Sequence, residues 1–186
     1  MKYNILAIDD EPHMLVLLER ITKEKTQYTI LTTNNSLEVP RLLEENNFDL
    51  IIADLKMPGM DGMDILRMVK GQKREEEVII ITAFGSLETA IEALSLGVLD
   101  YITKPFKKEQ IIFTVDRAIK WQNMKRDIKH FTAIFELEPY EKACNAFEKE
   151  YILRLSKRTS VDAKQMSQRT GIPEDVISSA INNSKN

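Results

Sequence analysis

The sequence has a single cysteine, Cys144, so no internal disulfide can form, and a reducing, cytoplasmic setting is expected. With no His or Cys constellation around it, Cys144 reads as a small apolar packer. Long hydrophobic runs are missing too. None approaches the roughly 18 residues needed to span a bilayer, so no membrane is expected as a partner. The opening MKYNILAIDDEP is cut by acids too early for a secretory leader. Only two histidines occur, His13 and His130, and neither has a partner at metal-ligand spacing. Both read as helix-surface residues. A large excess of one sign of charge is missing: 26 Lys and Arg stand against 29 Asp and Glu, and the net −3 argues against a wholly basic nucleic-acid coat. There is no fixed-period repeat, no low-complexity tract and no GxxxxGK[ST] phosphate loop. What remains is 43% hydrophobic and 30% charged, enough for a core with a soluble surface.

What is present alternates. YNILAI (3–8), YTILTT (28–33), FDLIIAD ending at Asp54, VIIITA (78–83) and VLDYIT (98–103) read as strands. Helical patterns separate them: residues 11–25 with Pro12 in the first turn, a segment capped by Ser36 and running to Glu45, GMDILRMVKG to Gly71, and residues 86–97 between Ser86 and Gly97. A long helix follows Pro105. The near-continuous Ile, Leu and Val strands imply a parallel sheet covered on both faces, an α/β doubly wound fold.

In such a sheet, ligands bind beyond the carboxyl ends of the strands. The polar residues collect there: Asp9 and Asp10 after the first strand, Asp54 at the end of the third, Thr82 at the end of the fourth and Lys104 after the fifth. A carboxylate at the end of the greasy run IIAD is costly to bury alone. A cluster of them calls for a divalent cation, and oxygen-only ligands suit Mg²⁺. With the metal bound, Asp54 can act as a nucleophile toward a phosphoryl group, whose oxygens Thr82 and Lys104 could bind.

Four stretches, DDEP (9–12), DLIIADLKMPGMDG (49–62), IIITAFG (79–85) and DYITKPF (100–106), resemble the signature of bacterial two-component response-regulator receiver domains. The likeness covers about residues 1–120. It implies a flavodoxin-like five-stranded sheet of order 2-1-3-4-5, with a sensor histidine kinase as phosphoryl donor. By the same resemblance Asp54 is the phosphoacceptor, and Asp9 and Asp10 hold Mg²⁺ together with Asp54 and the Lys56 backbone carbonyl. Thr82 and Tyr101 are the switch pair, and Lys104 senses the phosphate before a cis Pro105. Singly, each residue has a plainer reading: a helix cap for Asp9 or Asp10, loop amides for Asp54, a strand residue for Thr82, a half-buried ring for Tyr101, a surface charge for Lys104. Four matches in order and spacing favour the joint reading.

Beyond the receiver-like region the last helix runs on. Trp121, Met124, Ile128, Phe131 and Phe135 step by three and four, an a/d seam of about two heptads out of phase with Ile112, Val115 and Ile119. Two packings fit it: a coiled-coil linker in a homodimer, or a seam against the chain's own C-terminal helices. The linker covers residues 121–138.

Residues 139–186 read as a small all-α unit. Pro139 opens a helix to about Lys157, a shorter one covers Val161–Gln168, and RTGIP leads to a last helix near Glu174–Ile181. Two short helices about Gly171 form a helix-turn-helix pattern. AFEKEYILRLSKRT and the later GI resemble the Fis-type DNA-binding domain of nitrogen-regulator-like response regulators, without the central ATPase domain. That resemblance implies DNA as a partner. Arg154, Lys157, Arg158, Lys164 and Arg169 are candidate phosphate contacts, though a charge run is often only a solvated face. The stretch matching the recognition helix reads PEDVISSAI, with Glu174 and Asp175 at its start and serines where basic residues are expected. Two outputs therefore stand: a phosphorylation-switched regulator of transcription, or a switched adaptor whose helical end mediates dimerisation or protein binding. No catalytic constellation outside the strand ends points to an output enzyme.

Overall fold

The computed structural model describes residues 2–24, 27–137, 139–158 and 162–183. The chain divides into two compact units, residues 1–125 and 126–186.

In the first unit, strands β1 (Tyr3–Ile8), β2 (Tyr28–Thr33), β3 (Leu50–Asp54), β4 (Glu77–Thr82) and β5 (Asp100–Thr103) form one parallel sheet of order β2-β1-β3-β4-β5. β3 and β4 are buried at every position, which explains their unbroken apolar runs. Alternate residues feed two cores. Ile51, Ala53, Val78 and Ile80 pack on one face, with Leu66 and Val69 of α3 (Gly62–Gly71). Leu50, Ile52, Ile79 and Ile81 pack on the other, with Leu18 of α1 (Pro12–Lys23) and Ile111, Val115 and Ile119 of α5 (Lys108–Phe135). The expected sheet order and doubly covered strands are thus observed.

Capping sets the helix bounds. Pro12 enters at the first turn of α1. α3 and α4 (Leu87–Ser95) each begin with a capping box, Asp61 with Asp64 and Ser86 with Thr89. Two expectations fail: Cys144, expected to be a small apolar packer, is exposed, and the cap after β2 is not the residue expected. Asn35, not Ser36, caps the segment after β2: its side chain accepts from the Leu37 N–H at 3.2 Å. A 3₁₀ turn (Ser36–Glu38) follows, and α2 (Val39–Glu45) begins only after it. Ser36 is left 2% exposed with its hydroxyl turned elsewhere.

α5 is 28 residues long and ends in the second unit, as the run-on pattern required. There α6 (Tyr140–Arg158), α7 (Ala163–Thr170) and α8 (Glu174–Asn182) surround a small core of Ile152, Met166, Ile177 and Ala180. α7 ends at Gly171 in the left-handed conformation, φ +76°, which a glycine adopts without a Cβ penalty. The expected start of the second helix at Val161 falls outside the described residues.

Candidate functional site

Four strand ends deliver the site. β1 stops before Asp9 and Asp10, β3 ends on Asp54, β4 ends on Thr82, and the chain after β5 carries Lys104. Parallel register brings them level, since Asp54 pairs with Ile81 and Thr82 with Thr103. The Lys104–Pro105 peptide is cis, as the resemblance implied.

The Lys104 ammonium joins the carboxylates. Its Nζ lies 2.8 Å from Asp9 Oδ2 and 2.7 Å from Asp54 Oδ1, with Glu11 Oε1 at 3.7 Å. Asp9 and Asp54 are only 2% and 6% exposed, whereas Asp10 is exposed beside them. The remaining carboxylate oxygens accept backbone protons: Asp9 Oδ1 from the Glu11 N–H at 2.9 Å and Asp54 Oδ2 from the Lys56 N–H at 2.7 Å. Burial pushes the Asp54 carboxyl above its usual range, against the Lys104 ammonium and the Lys56 N–H, which pull it down. Burial also works against the charged form of Lys104, but its bonds to Asp54 and Asp9 prevail and raise its pKa.

The donor set fits a hard cation. Two buried carboxylates share one ammonium, so the pair retains negative charge, and every donor nearby is oxygen. Among the described residues, no three His, Cys, Asp or Glu side chains form a ready-made metal cage. The residues that would hold Mg²⁺ are Asp9, Asp10, Asp54 and the main-chain carbonyl of Lys56.

Gly62 sets how close α3 comes to Asp54. A Cβ there would lie 2.5 Å from the Asp54 carbonyl oxygen. Thr82 is fully buried, and its hydroxyl accepts from the Phe84 N–H at 3.0 Å. Tyr101 is half-buried, with its hydroxyl 3.0 Å from Thr89 Oγ1. Gly85 admits the ring: a Cβ at that position would come within 3.1 Å of the Tyr101 hydroxyl and 3.3 Å of Thr82 Cγ2. Thr89, Gly85 and Glu11 were not singled out by sequence reasoning. The glycine in IIITAFG was the available signal for the first two.

In the second unit the five candidate phosphate contacts separate. The Arg154 guanidinium is committed, bonded to Glu150 at 2.5 Å and Asp127 at 3.0 Å and stacked 4.7 Å over Phe131. Lys157, Arg158, Lys164 and Arg169 are exposed. Of the seam, Trp121, Met124, Ile128 and Phe135 stand 44%, 46%, 60% and 78% exposed. Phe131 is half-buried, and Ile134, outside the a/d pattern, is the buried one. A cavity of about 730 Å³ lies among Ile134, Phe135, Tyr140, Cys144 and Phe147. Among the described residues its walls are apolar.

The response regulator receiver domain family model matches residues 5–116. The chain is 32% identical over 126 residues to the regulatory protein AtoC of Escherichia coli, covering 68% of this chain and 27% of that protein. It is 29% identical over 186 residues to the transcriptional regulatory protein GlrR of the same organism, covering 97% of this chain and 39% of that one. The chain thus spans well under half the length of these curated relatives. Among solved structures, a response regulator receiver domain protein from Clostridium thermocellum superposes with a TM-score of 0.61 at 34% identity, covering 66% of this chain and 98% of that one.

Proposed function

The chain belongs to the response regulator receiver domain family, and on that premise we propose that Asp54 accepts a phosphoryl group from a sensor histidine kinase and thereby switches the C-terminal helices. The observation that carries this reading is the Lys104 ammonium held between Asp9 and Asp54 at the strand ends. An Asp54 oxygen forms the new bond to phosphorus as the bond from phosphorus to the donor's imidazole nitrogen breaks, the electron pair leaving with that nitrogen. Lys104 lies within reach to neutralise the arriving phosphoryl oxygens. Bound Mg²⁺ supplies charge stabilisation for the transferring group.

The switch follows from the added charge and acceptors. The Thr82 hydroxyl leaves the Phe84 N–H for a phosphoryl oxygen, and Tyr101, whose ring already lies against Gly85, moves into the space that Thr82 vacates. Incubation with acetyl phosphate and Mg²⁺ should add one phosphoryl mass to the chain, and Asp54→Asn should abolish it. A mass gain surviving that substitution would sink the assignment.

For the output we propose a homodimer whose tail acts in transcription, in line with relatives named as transcriptional regulators. Exposed Ile128, Phe135, Tyr140 and Phe147 support the dimer. A specific observation favours a second reading, a switched adaptor without sequence-specific DNA binding. α8 opens with Glu174 and Asp175, which suit the positive end of its own helix but repel phosphates, and Arg154 is already engaged within its unit. Ser178 and Ser179 offer no bidentate contact to a base.

A further inference from the structure

The loop after Asp54 is held from outside by one hydroxyl. Ser36 Oγ donates to the Pro58 carbonyl at 2.7 Å and accepts from the Met60 N–H at 2.9 Å. These are contacts across more than twenty residues of sequence, made by a side chain 2% exposed. Gly59, between the two tied residues, has φ +87°, and a Cβ there would meet Ser36 Oγ at 3.0 Å. The loop backbone therefore rests directly on the hydroxyl. Asn35 takes over the capping of the turn and leaves Ser36 free for this task.

The ends of the loop are fixed separately. Lys56 N–H donates to Asp54 Oδ2, Gly62 N–H to the Leu55 carbonyl, and Asp61 joins the α3 cap. Between Lys56 and Asp61, the Ser36 bonds are the hydrogen bonds to a distant segment among the described residues, beside the packing of Met57 and Met60 on the core. A main-chain oxygen cannot be aimed by a rotamer. Its place depends on the loop that carries it, and Lys56 sits two residues before the clamped Pro58.

We infer that Ser36 is a positioning residue for the metal side of the Asp54 site, holding the 56–60 loop so that the Lys56 carbonyl meets the cation. The inference rests on the Mg²⁺-dependent phosphoacceptor reading and deepens it. Changing residues that hold metal ligands in place typically costs about 10–100-fold in metal affinity. A loosened loop samples more backbone positions, and only a fraction of them present the oxygen correctly.

The test is a Mg²⁺ titration of the full chain followed by amide NMR shifts at Asp10 and Lys56, for wild type, Ser36→Ala and Ser36→Cys. Ser36→Ala should weaken Mg²⁺ binding about tenfold, the low end for supports of metal ligands. Ser36→Cys keeps the branching with a larger atom that is a weaker donor and acceptor, and should fall between. Phosphorylation by acetyl phosphate at saturating Mg²⁺ should stay within about twofold of wild type, with the rate-against-Mg²⁺ curve moved to higher metal. A merely structural serine would lower stability and leave the affinity of the folded protein alone. Folded Ser36→Ala binding Mg²⁺ as tightly as wild type would therefore overturn the inference. Should Ser36→Ala fail to fold, Ser36→Cys decides by the same criterion. A wild-type chain that binds no Mg²⁺ would overturn the phosphoacceptor reading and this inference with it.

Discussion

Replacing Lys104 with methionine keeps the length of the side chain and removes its charge. Two nearly buried carboxylate oxygens would then face each other with no cation. Each sits within 2.8 Å of the same nitrogen, so they are at most about 5.5 Å apart, the two bonds laid end to end. With an effective dielectric constant of about 20, like charges at that separation repel by about 3 kcal/mol. Breaking a buried ion pair by removing one partner costs a similar amount, about 3–5 kcal/mol. We expect Lys104→Met to destabilise the metal-free receiver unit by about 3 kcal/mol at pH 7. With urea slopes of about 1–3 kcal/mol/M, the midpoint should fall by about 1–3 M. The chain has two units, so the unfolding should be followed at a reporter within the first, such as the β3 amides. The pH dependence gives a second check. Burial already raises the Asp54 carboxyl, and losing the ammonium raises it further. A carboxyl with a higher pKa in the folded state binds its proton more tightly there. Its contribution to stability is complete in acid and lost as pH rises through the raised value. The deficit of the variant should therefore close as pH falls from 7 toward about 4. Millimolar Mg²⁺ should recover much of it at pH 7. A deficit below about 1 kcal/mol at pH 7, or one equally large in acid, would refute the view that the ammonium holds the two carboxylates together.

Gly62→Ala should destabilise the receiver unit by about 3 kcal/mol, because the added Cβ meets backbone atoms that cannot rotate away. Gly71→Ala, with nothing within 4 Å, serves as its control and should be neutral or gain up to about 1 kcal/mol; equal urea midpoints for the two variants would contradict the contact. For the tail, selection from random DNA duplexes at moderate salt should enrich no motif. An enriched motif, lost when Ser178 and Ser179 become alanine, would restore specific DNA reading.

The sequence by itself determined the five βα units, the parallel sheet and the polar residues at its carboxyl edge. These follow from short-range properties: apolar runs, helical periodicity, and the residue types where a strand gives way to a loop. It also determined that the last helix runs past its sheet-facing stripe and that the tail is helical. Tertiary structure decided which atoms meet. Lys104 lies 95 residues from Asp9 and 50 from Asp54, and no periodicity links them; only the strand order brings the ammonium between both carboxylates. Ser36 precedes a helix and has the composition of a cap, yet burial beneath the 58–60 loop turned it into a clamp, because Asn35 could cap in its place. Arg154 looks on paper like the cations around it. In the fold, besides its neighbour Glu150 one turn back, it is bound by Asp127 and stacked on Phe131, because a helix surface is shared with whatever packs beside it. Local chemistry is written along the chain, whereas pairing across it depends on where the backbone returns.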